Sequence, residues 1–210
     1  MNPISKVHSS AYMQRLQSLI NERLKPGSDK ASIDARIWDI FGESWAVMYT
    51  DLSGFSRLAA EYGIIHFLQN ILESQRIFEP CIDNHDGVLV KVEGDSMLIL
   101  FRQPTKAIQC ALDMQDCARE YNAGRAPEDQ ILLCVGIGYG RILTIGDQDV
   151  FGAEVNAACK LGEDRADSWE ILVTDSVRAV ASGLAGVDFE CLDITPPGAN
   201  AAYRVVSTRG

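Results

Sequence analysis

Two short apolar runs, Gly87-Val-Leu-Val-Lys-Val92 and Ser96-Met-Leu-Ile-Leu-Phe101, stand side by side between two long stretches of helical periodicity. That arrangement constrains the fold more than any other feature of the chain. The connecting Glu93-Gly94-Asp95 leaves room only for a tight turn, and Gly94 supplies the backbone freedom such a turn needs, so the two runs form a β-hairpin. Upstream, Trp45-Ala-Val-Met-Tyr-Thr50 reads as a buried strand that stops abruptly at Asp51-Leu-Ser-Gly-Phe55. A helical stretch follows from about Ser56 to Ile82, interrupted around Gly63. Downstream, Pro104 opens a helix over 104–123 in which Ala107, Ile108, Ala111, Leu112, Met114 and Gln115 recur at helical spacing. Strand Ile131–Gly138, a loop, helix Gly152–Leu161, strand Glu170–Thr174, helix Ser176–Ser182 and a closing strand at Tyr203–Ser207 complete the order. A hairpin lodged within alternating strands and helices argues against a doubly wound parallel sheet and predicts an α+β sandwich of ferredoxin-like type.

Ahead of this pattern, residues 9–25 carry Met13, Leu16, Leu19, Ile20 and Leu24 at helical spacing and stop at Pro26-Gly27. A second short helix starts near Asp29 and carries Ile33, Ile37, Trp38 and Ile40/Phe41. Residues 1–44 therefore read as an N-terminal helical extension, packed on the main unit or coupling a signal or a second chain to it, and 45–210 as the main domain. Apolar runs such as Met97–Phe101 are far too short to cross a bilayer, and Met1–Val7 has no apolar stretch behind it, so neither membrane insertion nor a signal peptide is expected. Six scattered cysteines without CxxC spacing read as reduced and mostly buried, which suggests a cytoplasmic location. His8, His66 and His85 are too dispersed for a zinc site. A net charge of −10 excludes a non-specific nucleic-acid binder. It leaves open one small polyanion held by local cations or a divalent metal.

Asp51 stands at the end of the first strand and Asp95 in the hairpin turn. In a split βαβ sheet these elements are neighbours, so the two carboxylates converge at one edge. Carboxylates that share a site repel unless a cation lies between them, and oxygen ligands favour Mg²⁺ or Mn²⁺. Behind Asp51, Leu52-Ser53-Gly54-Phe55 enters a helix through a glycine turn, where backbone N–H groups can cradle phosphate. A metal beside an amide cradle suits a nucleoside triphosphate. Gly136-Ile-Gly138-Tyr-Gly140 lacks dinucleotide-motif spacing and opens no helix, so these glycines are thin strand and loop positions.

Three blocks, Asp51-Leu-Ser-Gly-Phe-Ser56, Lys91-Val-Glu-Gly-Asp95 and Asp149-Val-Phe-Gly-Ala-Glu-Val-Asn156, occur in this order and resemble the signature blocks of the class III nucleotide cyclases, the adenylate/guanylate cyclase catalytic domain, over roughly residues 45–180. The resemblance implies that family's ferredoxin-like fold and an adenylate cyclase that converts ATP to 3′,5′-cyclic AMP and pyrophosphate at a homodimer interface. It implies two Mg²⁺ or Mn²⁺ ions per active site, held by Asp51, Asp95 and the Leu52 carbonyl. It further implies that Ser53, Gly54 and Phe55 meet phosphate and that Lys91 and Asp149 read the base. Adenine N1 accepts and its 6-amino group donates, which matches a cation and a carboxylate, whereas guanine presents the reverse pattern. Asn156 matches the residue that positions the ribose, and Arg141 a position that can contact phosphate. The chain departs from the family in two places. Lys160 stands where an arginine usually stabilises the reacting phosphate, keeping the charge but losing the planar fork. The segment from Arg141 to Asp149 is also shorter than the hairpin that clasps the second subunit in many relatives. These departures sustain an alternative, a degenerate cyclase-like domain that binds nucleotide or a partner as a regulatory module. The absence of a GG(D/E)EF turn disfavours a diguanylate cyclase.

Overall fold

The computed structural model describes residues 11–54, 60–146 and 149–208. Two helices, α1 (Ala11–Arg23) and α2 (Lys30–Phe41), precede the sheet, and Asp29 caps α2 by accepting from the Ser32 N–H. From Phe41 the chain passes directly into β1 (Gly42–Leu52). Ala46, Val47 and Met48 are all fully buried, so β1 has both faces covered and reads as an unbroken apolar run. Helix α3 (Ile64–Asn84) leads to β2 (Val88–Glu93) and β3 (Ser96–Phe101); α4 (Pro104–Asn122) then leads to β4 (Leu133–Ile145). β1 pairs antiparallel with β3 on one side and β4 on the other, and β2 pairs with β3. The resulting order β2-β3-β1-β4, with both connecting helices against it, is the ferredoxin-like core anticipated from the hairpin. Gly94 sits at the turn with φ +62, the left-handed geometry that glycine adopts without strain.

The chain then adds β5 (Asp149–Phe151), α5 (Ala153–Asp164), β6 (Ile171–Thr174), α6 (Asp175–Ala181), β7 (Val187–Leu192) and β8 (Ala202–Ser207). The eight-stranded sheet runs β2-β3-β1-β4-β6-β8-β7, with β5 paired to β4. Two features go beyond the sequence expectation. β4 continues past Gly138 to Ile145 and turns back into β5, so the supposed loop is a hairpin. β7 pairs along its whole length with β8 at the sheet edge.

The two faces of the sheet carry different layers. On one, Phe78 and Ile82 of α3, Ile108 and Met114 of α4 and Val177 of α6 pack on Met48, Ile99 and Val135. On the other, Val155 and Ala158 of α5 pack on Val47, Leu98 and Leu100. Gly136 and Gly138 make the second contact possible. A Cβ on Gly136 would lie 2.1 Å from the Ala158 carbonyl oxygen, and one on Gly138 2.5 Å from that of Glu154. The glycines thin the strand, as anticipated, and let α5 lie with its backbone against β4. At the far end of β4, Leu19, Ile33, Ile37 and Phe41 of α1 and α2 close over Ile145. All six cysteines are free thiols. Among the described residues no helix is long and apolar enough to cross a membrane.

Candidate active site

The site forms on the sheet face that α5 covers. Side chains alternate along β1, so Val47, Tyr49 and Asp51 share that face. Tyr49 lies opposite Leu98 of β3, and Leu98 opposite Lys91 of β2. Cross-strand partners point the same way, which sets Lys91 on the side of Tyr49 and Asp51. Thr50 pairs with Met97, so Asp51 stands next to the hairpin turn, where the Ser96 hydroxyl donates to Asp51 Oδ1 at 3.3 Å. Asp95 lies in that same turn. The carboxylates expected from separate motifs therefore meet.

Their electrostatics follow from this convergence. Burial first, then the charges of Asp95 and Glu163, push the Asp51 carboxyl up to about 7. Burial raises Asp95 as well, with Glu163 adding to it, against hydrogen bonds from its own N–H, from Asp51 and from the Leu52 N–H. Burial disfavours the charge on both acids and Asp95 disfavours that on Asp51, so the pair makes a site that a divalent cation would relieve. The carboxylate oxygens of Asp51 and Asp95 fit a hard ion such as Mg²⁺ or Mn²⁺. Behind them the chain turns through Ser53, whose N–H donates to the Leu132 carbonyl at 2.8 Å, and Gly54 with φ +88. Phe55 lies outside the described residues.

Lys91 and Asp149, far apart in sequence, are brought together. Lys91 Nζ lies 3.4 Å from Asp149 Oδ1 and 3.2 Å from Glu93 Oε1. Burial works against the Lys91 charge, but Glu93 and Asp149 outweigh it and hold the ammonium above its ordinary range. The Val150 N–H donates to Asp149 Oδ1 at 2.9 Å and fixes the carboxylate. Between this pair and Asp51 stands Tyr49, its hydroxyl pushed up to about 12 by burial and by neighbouring Cys159, Glu163 and Asp149, with Lys91 opposing. Sequence reasoning passed over Tyr49 and Glu163. Tyr49 was legible, since it stands two residues before Asp51 on the same strand face; Glu163 was not, because only the packing of α5 brings it near.

Asn156 lies on the exposed side of α5, and Lys160 one turn further on, where its ammonium contacts Asp164. Cys159 donates to Glu163 Oε2 at 3.0 Å in the same turns. The half-buried Glu154 anchors the start of the helix by accepting from the Tyr139 N–H and from Thr174 and Ser176. Arg141 stands apart from Asp51. It pairs with Ser44 at the opposite end of β1 from Asp51, seven residues or about 23 Å along the strand. There its guanidinium donates to the Trp38 carbonyl at 2.7 Å and lies 5.1 Å from the Trp38 ring centroid, tying α2 to the sheet.

The family model for the adenylate and guanylate cyclase catalytic domain matches residues 42–196. The chain belongs to this family. A crystal structure of an adenylate/guanylate cyclase/hydrolase from Silicibacter pomeroyi is 26% identical, with a TM-score of 0.66, over 79% of this chain and 97% of that one. The guanylate cyclase domain of RhGC from Catenaria anguillulae, solved in complex with GTP, shares the fold at a TM-score of 0.66 and 17% identity, over 79% of this chain and 97% of that one. A curated protein of Rhizobium meliloti, named provisionally as adenylate cyclase 3, is 28% identical over 144 residues, 69% of this chain and 24% of that protein. The chain thus spans about a quarter of that relative's length. Adenylate and guanylate cyclases share this fold, so the choice of base falls to particular side chains.

Proposed function

We propose that the chain is an adenylate cyclase, converting ATP to 3′,5′-cyclic AMP and pyrophosphate at a site completed by a second copy. The observation that carries this reading is the Lys91–Asp149 contact at 3.4 Å, which sets a donor beside an acceptor. Adenine offers the complement, an N1 that accepts and an amino group that donates. Guanine would set its N1–H toward the ammonium and its O6 toward the carboxylate, leaving partly buried polar groups mispaired.

In the reaction the ribose 3′-oxygen attacks the α-phosphorus. The new P–O bond closes the ring, the bond to the β-phosphate oxygen breaks, pyrophosphate departs and the hydroxyl proton is released. Asp51, Asp95 and the Leu52 carbonyl would hold two divalent cations, Mg²⁺ or Mn²⁺. When bound, such ions make the 3′-oxygen a better nucleophile and neutralise the triphosphate. Gly54 would offer its backbone N–H to phosphate, and Ser53, whose N–H is already donated to the Leu132 carbonyl, its hydroxyl. Asn156 orients the ribose, and Lys160 supplies positive charge to the reacting phosphate. Arg141, held by Trp38, would reach phosphate only after leaving that carbonyl. The metal carboxylates of one chain face Lys91, Asp149 and Asn156 of the other, so a homodimer carries two sites.

The capture of Lys160 by Asp164 favours a slow enzyme and, as a second reading, a regulatory nucleotide-binding module. Incubation with Mn²⁺ and each of the four ribonucleoside triphosphates, with the products separated by chromatography, decides between them. Cyclic AMP from ATP is expected. Silence with every nucleotide in a confirmed dimer leaves the regulatory reading, and equal use of ATP and GTP defeats the assignment of Lys91 and Asp149.

A further inference from the structure

We propose that Asp164 is a positioning residue that holds Lys160 back from the phosphate chain of the nucleotide, an inference that rests on the cyclase reading above. The two residues lie one turn apart on α5; Lys160 Nζ contacts Asp164 Oδ2 while both side chains remain about half exposed. Helix stability does not account for the pair. Glu163 and Asp164 sit in the last turn of α5, where the macrodipole favours cations, and that turn carries no basic residue. The order of the pair is also the weaker one, since an acid four residues before a base supports a helix better than a base before an acid.

The contact instead acts on direction. Helix side chains lean toward the N-terminus, and that lean would carry Lys160 toward Asn156, one turn or about 5.4 Å back along α5. Asp164 draws the ammonium the opposite way. Glu163 adds its nearby charge to this pull, but its Oε2 accepts from Cys159, so Asp164 makes the direct contact. An arginine at this position has a forked head that can meet a carboxylate and a phosphate at once, whereas lysine is a point charge on a flexible stem. With lysine here, Asp164 and phosphate compete for one group.

The test compares the full-length wild type with Asp164→Asn, Asp164→Glu, Lys160→Met and the double variant Lys160→Met/Asp164→Asn. Two readouts are taken at low salt, the dissociation constant for inorganic tripolyphosphate with Mn²⁺ and the kcat and KM for ATP, with a thermal unfolding midpoint for each protein. Asp164→Asn should tighten tripolyphosphate binding about twofold, the scale of an exposed pair one helical turn apart. It should raise kcat/KM by a similar factor, and the midpoint should hold or rise slightly, because a charge opposed by the helix dipole is gone. Asp164→Glu should behave as wild type. In the Lys160→Met background the same substitution should do nothing. Unchanged tripolyphosphate affinity in Asp164→Asn, or a gain that persists without Lys160, overturns the proposal. A gain that needs Lys160, in a chain that makes no cyclic nucleotide, supports the proposal and removes the cyclase reading.

Discussion

Replacing Asp51 with Asn should stabilise the metal-free protein above neutral pH while removing a proposed cation ligand. Burial, reinforced by Asp95 and Glu163, raises the Asp51 carboxyl from 3.8 to about 7. For an acid, a raised value in the folded state means that the native protein binds more protons than the unfolded chain between those two limits. Stability therefore falls as the pH climbs from about 4 to about 7, and the loss is complete above that window. A displacement of about three pKa units corresponds to at most about 4 kcal/mol. Asp51 is only partly buried, so solvent screening reduces this to about 1–2 kcal/mol. Asn is nearly isosteric, keeps an acceptor for the Ser96 hydroxyl and carries no charge. For a chain of this length the gain amounts to about 2–8 °C in the unfolding midpoint. Thermal unfolding in EDTA at pH 4.5 and pH 8 reads it directly: the variant should unfold at a higher temperature than wild type at pH 8, and the gap should close at pH 4.5. Added Mn²⁺ should raise the midpoint of wild type and leave that of the variant nearly unchanged. A variant less stable than wild type at pH 8 in EDTA would show that Asp51 is not strained by its neighbours, and the cation site would lose its physical basis.

Other perturbations reach different parts of the account. Reversing the proposed base-reading pair with Lys91→Glu and Asp149→Arg should cut ATP turnover and erode discrimination against GTP, since each mispaired group costs on the order of 1–3 kcal/mol; kcat/KM for both nucleotides measures it. Restoring the fork with Lys160→Arg should raise kcat roughly 10-fold while KM changes less, and Lys160→Ala should lower kcat further, both visible in initial rates. Gly136→Ala places a methyl group 2.1 Å from the Ala158 carbonyl oxygen and must push α5 off β4. Denaturant unfolding should show a loss of about 1–3 kcal/mol, with activity falling as α5 carries Asn156 and Lys160 away.

The hairpin between two helices was enough to place the core, because a short glycine turn between apolar runs admits few alternatives. The same logic brought Asp51 and Asp95 together, one at the end of a strand and the other in the turn of its neighbour. The extension of β4 through Gly140 and Arg141 was hidden, since glycines weaken the strand signal and the partner β5 spans only Asp149–Phe151. β7 alternates Val187, Phe189 and Cys191 with acids, a half-buried edge pattern that is legible once its partner β8 is known. The resting place of Arg141 could not be read at all. Its bond to the Trp38 carbonyl joins residues 103 apart and depends on how α2 seats against the sheet. The Lys160–Asp164 contact, by contrast, follows from a four-residue helical spacing and was open to the sequence all along.

Subunit mixing tests the central claim most directly. On the proposed assignment an Asp51→Ala chain would lack the cation half of the site and an Asn156→Ala chain the ribose half, so each alone should make no cyclic AMP. Random exchange makes half of the dimers mixed, and each mixed dimer has one site carrying both lesions and one carrying none. An equimolar mixture should therefore recover about a quarter of wild-type cyclic AMP production from ATP. No recovery, with subunit exchange demonstrated by labelled chains, would contradict a site shared between two copies.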